Sequence, residues 1–269
     1  MAGRLSTLWQ SSTIIGSSVR ASDGGIGSVA DILFDDQAWT VRWAVVDTGT
    51  WLPGKRVLLP TAVLGEPDAA SGSFPVQATR QQVKDSPGVE QDQPVSRQLE
   101  TDIHGYYGWS PYWSAGIATH PGMVPPMMGV AGAPSLAGRV PEGEAPPGQA
   151  GAGAAVQRGD PRLRSLNEVR GYYIQASDDS IGHAEEFLLD PQGWAIRYLV
   201  VDTRNWWPGR KVLVDPKWIG EVDWNGQMLH VGLTREQVRG SPEYDPAATA
   251  DQDYEQRLYG HYGRIPYWR

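Results

Sequence analysis

The chain of 269 residues carries 23 basic against 31 acidic side chains, a net charge of −8. That balance argues against a surface for nucleic acid or anionic membrane, which needs clustered Lys and Arg to displace counterions. The absence of cysteine excludes disulfides, thiol nucleophiles and Cys-based zinc or iron–sulfur sites.

With 40% hydrophobic residues the chain can bury real cores. No apolar run approaches the roughly 18 residues of a membrane helix, and the opening residues lack a leader's apolar stretch. A soluble, cytoplasmic protein with no transmembrane segment is expected. In chain order, Ile14-Ile15-Gly16 with Val19 reads as a short strand that stops at Asp23-Gly24-Gly25, where glycine supplies the positive φ of a tight hairpin. Ile26, Val29, Ile32, Leu33 and Phe34 form the next apolar run, broken by Asp35-Asp36. The stretch Trp39–Asp47 is nearly continuous in apolar residues apart from Arg42, as in a strand buried on both faces or closing a small barrel. Thr48 and a corner holding Trp51, Pro53 and Gly54 lead into the return strand Arg56–Leu59. Thr79-Arg80-Gln81-Gln82 is a capping box that starts a short helix, and Ser86-Pro87 ends it. Leu99, Ile103, Tyr106 and Tyr107 then recur at helical spacing before an aromatic end, Tyr107-Gly108-Trp109-Ser110-Pro111-Tyr112-Trp113.

The same text then returns. Trp39 and Trp194, Pro53 and Pro208, and Trp113 and Trp268 are each 155 positions apart, with no gap from Gly16/Gly171 to Trp113/Trp268. This is the signature of a duplicated domain. The second corner holds Trp206, Trp207, Pro208 and Gly209, and the second capping box is Thr234 to Gln237. Asn225-Gly226 predicts a hairpin, and Pro67 should make the one in the first copy shorter or looser. The second tail carries Tyr254, Leu258, Tyr262, Tyr267 and Trp268. The expected layout is a domain at 10–91, an aromatic tail at 92–113, a flexible Gly/Ala/Pro linker at 114–160, a second domain at 161–245 and a second tail at 246–269.

Ala21-Ser22-Asp23 with Ile26-Gly27, Val45-Val46-Asp47-Thr48 with Trp51-Pro53-Gly54, and Thr79–Val83 with Ser86-Pro87 resemble the PRC-barrel domain. This is the small β-barrel of the photosynthetic reaction-centre H subunit and of a ribosome-maturation factor. The second copy matches through Ala176-Ser177-Asp178, Val200–Thr203, Thr234–Val238 and Ser241-Pro242. The resemblance implies a mainly β fold of two small PRC-type barrels in tandem, each with a short helix and an aromatic tail. It also implies a docking or assembly role rather than catalysis.

The candidate chemistry is sparse. His104, His120, His183, His230 and His261 do not coincide at the 155 offset, and no His-x-His pair occurs, so no metal or cofactor is expected. Asp35-Asp36 reads as a solvated turn. Asp47 and Asp202 are the best carboxylates for a perturbed environment, but Arg42 and Arg197, five positions upstream, point to the opposite face. With Pro53, Gly54, Pro208 and Gly209 they read as structural turn residues that accept loop amides. The interaction candidates are Trp51, Trp206, Trp207, Tyr107, Tyr112, Trp113, Tyr262, Tyr267 and Trp268, since Trp and Tyr dominate interface hot spots. The tails are expected to dock on the barrels and cover the tryptophan corners in a pseudo-twofold arrangement.

The leading reading is a non-enzymatic protein-interaction or assembly module with protein partners and no direct nucleic-acid contact. A homo-oligomer stays open. Alternatives are a ribosome-assembly-type factor docking on a ribosomal protein, and a ligand-binding or enzymatic protein with its site between the barrels.

Overall fold

A computed structural model describes residues 8–67, 71–87, 97–108, 160–203, 210–248 and 250–268. The fold is mainly β with two sheets. The chain begins with β1 (Trp9–Gln10) and the helical turn α1 (Ser11–Ile14), then β2 (Ser18–Ala21), β3 (Gly24–Asp35), β4 (Thr40–Asp47), β5 (Arg56–Pro60) and β6 (Ser73–Pro75). α2 (Arg80–Asp85) and α3 (Arg97–Tyr107) follow. The later half runs β7 (Leu163–Ser165), α4 (Leu166–Val169), β8 (Tyr173–Gln175), β9 (Ser180–Leu189), β10 (Ile196–Asp202), β11 (Lys211–Val214), β12 (Ile219–Asp223), β13 (Met228–Val231), α5 (Arg235–Gly240) and α6 (Gln252–Tyr262). The sheets are ordered β5-β4-β3-β2-β6 and β11-β10-β9-β8-β13-β12.

The registers repeat with the sequence. Val19 faces Gly27 as Ile174 faces Gly182, and Val46 faces Val57 as Val201 faces Val212. Glycine is obligatory at one equivalent pair: a Cβ on Gly27 would lie 1.9 Å from the Asp47 carbonyl oxygen, and one on Gly182 would lie 2.0 Å from that of Asp202. Both short helices open on complete capping boxes, Thr79 with Gln82 and Thr234 with Gln237. They end at Ser86 and Ser241, each before a proline.

Two expectations change. Neither sheet closes into a barrel through the pairings of the described residues; β5 and β6, and β11 and β12, remain edges. Ala44 and Val46 of β4 face the main core, while Trp43 on the other face joins Leu58 and Ile103 beneath α3. Second, the strand expected through Ile14 and Ile15 is a helical turn over Ser11–Ile14, in which Ser12 N donates to Glu186 Oε2 (3.2 Å) from the other half. The hairpin expected at Asn225-Gly226 is present, joining β12 to β13. Asp223 pairs with Met228 across a four-residue loop, in which Asp223 Oδ1 accepts from Asn225 N (3.1 Å) and Gly226 N (2.9 Å) and Gln227 adopts φ 52°. In the first half the corresponding pairing shrinks to one bridge, Leu64 with Val76. The linker at 114–159 lies outside the described residues.

The two sheets exchange their leading segments. β1 pairs with β9 (Trp9 with Leu189, Gln10 with Leu188), and β7 pairs with β3 (Arg164 with Phe34, Ser165 with Leu33). Each pairing is the other displaced by 155 positions, so the seam is pseudo-twofold. At its centre Thr40 bridges Ala195, Val41 N donates to Trp194 O (2.8 Å), and Ile196 N donates to Trp39 O (2.7 Å). Trp39 (φ 49°) and Trp194 (φ 53°) are left-handed, an uncommon state for bulky residues. Such a conformation costs about 1–3 kcal/mol. Both indoles are buried, and burial worth about 2–3 kcal/mol apiece offsets that cost. The short helices are capped reciprocally: Asn167 N donates to Asp31 Oδ1 (3.3 Å), the counterpart of the bond from Ser12 to Glu186. One hydrophobic core runs through the seam, with Trp9 edge-on to Trp194 at 5.7 Å.

Candidate functional site

The corner after β4 is built by its own polar groups. Asp47 Oδ1 accepts from Gly49 N (2.8 Å), and Thr48 Oγ1 donates to the carbonyls of Leu52 and Lys55, 2.7 Å each. Gly54 takes φ 78°, and it and Pro53 are exposed. This geometry turns Trp51 out to a half-buried position, where the Arg80 guanidinium lies 4.7 Å from its ring centroid. Lys55 Nζ donates to the carbonyls of Lys84 and Ser86 at the end of α2, and burial lowers its pKa. Thus Trp51 flanks the start of α2. Tyr106 and Tyr107 flank its end: the Tyr107 hydroxyl donates to Gln82 O (3.4 Å), and Tyr106 is 42% exposed.

In the second half, Asp202 and Thr203 are buried, and Thr203 Oγ1 donates to Arg210 O (2.8 Å). Trp206, Trp207, Pro208 and Gly209 lie outside the described residues, as do Tyr112 and Trp113.

The tail helices are held by a feature that sequence reasoning missed. Glu100 of α3 is fully buried and accepts from Trp43 Nε1 (2.6 Å). Glu255 of α6 is also buried and accepts from the hydroxyls of Tyr198 (2.8 Å) and Tyr267 (3.2 Å). The two carboxylates stand 155 positions apart on buried helix faces, and that coincidence was the available signal. Burial raises the Glu255 pKa, opposed by the bonds from Tyr198 and Tyr267 and by the charge of Arg197. The Tyr198 phenol is pushed far above its ordinary range, by burial first and by the charge field of Tyr259 and Glu255 next.

Around this latch the second tail gathers its aromatics. Trp218 meets Tyr262 at 4.6 Å and Tyr259 at 5.7 Å, while Trp268 stands edge-on to Tyr259 at 5.5 Å. The Arg197 guanidinium covers the Tyr267 ring at 4.1 Å and pairs with Asp190 at 2.5 Å. The Tyr259 hydroxyl donates to Asp215. Tyr262, Tyr267 and Trp268 are therefore brought together, and the tail lies on its own sheet. The second tryptophan corner and residues 109–113 of the first tail lie outside the described residues, and with them the expected covering of the corners by the tails. Among the described residues Trp51 packs against the main core with Arg80 over its ring, while α6 lies along the Tyr198 face of β10.

A cavity of about 490 Å³ opens at the seam, with Trp39, Arg197, Asp215, Lys217, Glu221 and Tyr267 among its lining. No cluster of three or more metal-ligating side chains occurs among the described residues, and no helix of theirs is long and apolar enough to cross a membrane.

Residues 10–82 match the family model of the PRC-barrel domain. An uncharacterized protein of Deinococcus radiodurans is 36% identical over 92 residues, which make up 34% of this chain and 31% of that protein. The chain thus spans about a third of the length of this curated relative.

Proposed function

We propose, from the PRC-barrel domain at 10–82, that this chain is a non-enzymatic protein-interaction or assembly module in which the second half is a second domain of the same type. The matching registers and the reciprocal seam support the second domain. The interaction reading is carried by one observation: α2 is flanked by half-buried Trp51 and by exposed Tyr106, aromatics held on a rigid frame with a cation over the indole. Preorganised aromatic side chains lose little entropy on docking, so they suit a protein partner. The test is capture of partners from the native host with tagged protein and quantitative mass spectrometry. Trp51→Ala combined with Tyr106→Ala should deplete specific partners about tenfold or more while circular dichroism is unchanged. Undiminished capture by this variant would refute docking through the α2 face.

A second reading, a small-ligand or enzymatic site between the halves, is favoured by the seam cavity with its mixed charges. Thermal-shift screening of the chain against metabolite classes separates the two. A ligand that raises the melting temperature, and fails to do so in Lys217→Ala, would favour the cavity.

A further inference from the structure

We infer that the face formed by Arg197, Glu255 and Tyr259 is a peptide-binding groove for a proline–tyrosine–tryptophan segment, closed in cis by residues 264–268 and open to the same segment of a second copy when its own is displaced. The segment occupies the groove in cis in the structure. Tyr267 is bonded to Glu255 and lies under Arg197, while Trp268 packs edge-on against Tyr259.

Three features make the contact exchangeable. The backbone hydrogen bonds of the segment among the described residues end at Arg264, whose amide donates to Tyr259 O (3.0 Å), so side chains alone hold the rest. Gly263 (φ 62°) is the left-handed cap at which α6 stops, Pro266 cannot continue the helix, and Ile265 is 80% exposed. Finally, the groove is built without the segment. Glu255 also accepts from Tyr198 (2.8 Å), Arg197 also pairs with Asp190 (2.5 Å), and Tyr259 is bonded to Asp215. A vacated groove therefore keeps its charges partnered and stays preorganised for the next occupant. It opens on the seam cavity through Arg197 and Tyr267, which gives an incoming segment access.

The groove rests on the interaction-module reading only for its use, since its geometry is independent of the α2 face. The probe is a fluorescein-labelled peptide, Arg-Ile-Pro-Tyr-Trp, read by fluorescence polarisation against the full chain carrying Tyr267→Ala and Trp268→Ala. Saturable one-to-one binding is expected. It should weaken about tenfold or more when the peptide's tyrosine becomes alanine. The wild-type chain should bind at least about tenfold more weakly, because its own segment competes at an effective concentration near millimolar.

Equal binding to both chains, or equal binding of a scrambled peptide, overturns the proposal. So does the absence of saturation at millimolar chain. If the double variant melts below the assay temperature, Trp268→Ala alone serves as host with the same expectations. Peptide binding lost while capture through Trp51 and Tyr106 persists would defeat the groove alone. The reverse pattern would defeat the α2 face alone.

Discussion

The two halves fasten their tail helices with the same group and different neighbours. Each buries one glutamate, Glu100 or Glu255, and offers it a donor from the middle of the adjacent strand, an indole N–H from Trp43 in one case and a phenol O–H from Tyr198 in the other. One turn further along each helix the residues diverge, His104 against Tyr259, and opposite them Pro60 stands where the second half has Asp215. The first latch is backed by a small apolar cluster of Trp43, Leu58 and Ile103, whereas the second is a polar network merged with the main core. What the architecture demands is a donor that satisfies a buried carboxyl, since an unpaired one is costly. The ring that delivers the donor is negotiable.

This equivalence is most exposed where no side chain is allowed at all. Gly27→Ala and Gly182→Ala each drive a methyl group into a backbone carbonyl, and each should cost about 3 kcal/mol or more in urea denaturation. A mild effect at one site alone would show that the two hairpins are not under the same constraint.

Next in size are the latches themselves. Trp43→Phe and Tyr198→Phe remove the donor and keep a ring, with expected losses of about 1–3 kcal/mol each from the carboxylate left short of a partner. The loss at Tyr198 should be the smaller one, because Tyr267 still donates to Glu255.

A pH series sharpens the comparison. The Glu255 carboxyl has its pKa raised by burial from the ordinary 4.5. Its contribution to stability is therefore full below that ordinary value and is lost as pH rises through the folded one. Glu255→Gln keeps an acceptor and removes the charge, so its melting temperature should gain on that of the wild type across this window and hold the gain above it. A constant offset between the two melting curves at all pH values would place the charge elsewhere. The smallest effects belong to the caps: Thr79→Ala and Thr234→Ala should each cost about 1 kcal/mol by thermal melting, and equally, because the two capping boxes are alike.

Much of the frame was legible in the residues. The 155 offset anticipated the matching registers, and the threonine–glutamine pairs located both short helices. The seam was not legible. Its strands are two and three residues long, Trp9–Gln10 and Leu163–Ser165, and they pair through backbone groups that most side chains allow. Asn225-Gly226 located the β12–β13 hairpin, and its loop amides are held by the Asp223 carboxylate. Glu100 and Glu255 escaped notice because a single glutamate in a helix ordinarily faces water, and only the tertiary contact with β4 or β10 reverses that. The corner aromatics were identified as interaction candidates from composition, but the arginine above Trp51 comes from a helix about 30 residues later, a contact no local pattern announces.

The exchange of leading segments also sets an order of events in time. Ser11 and Glu186 meet across 175 positions and Ser165 and Asp31 across 134, so neither contact can form while the chain is half made. At about 5–20 residues per second, the interval between completing Tyr107 and completing Leu189 lasts roughly 4–16 s. Throughout it Trp9 has no complete strand to lie against, and the first sheet lacks β7 until Ser165 has been made. The edge of β3 and the waiting β1, whose partners in the finished chain are β7 and β9, are then unpaired backbone open to strands of neighbouring nascent chains. A ribosome-bound first half is therefore this protein's most adhesive state, and crowding several translating ribosomes on one message would favour pairing between chains before either could pair with itself.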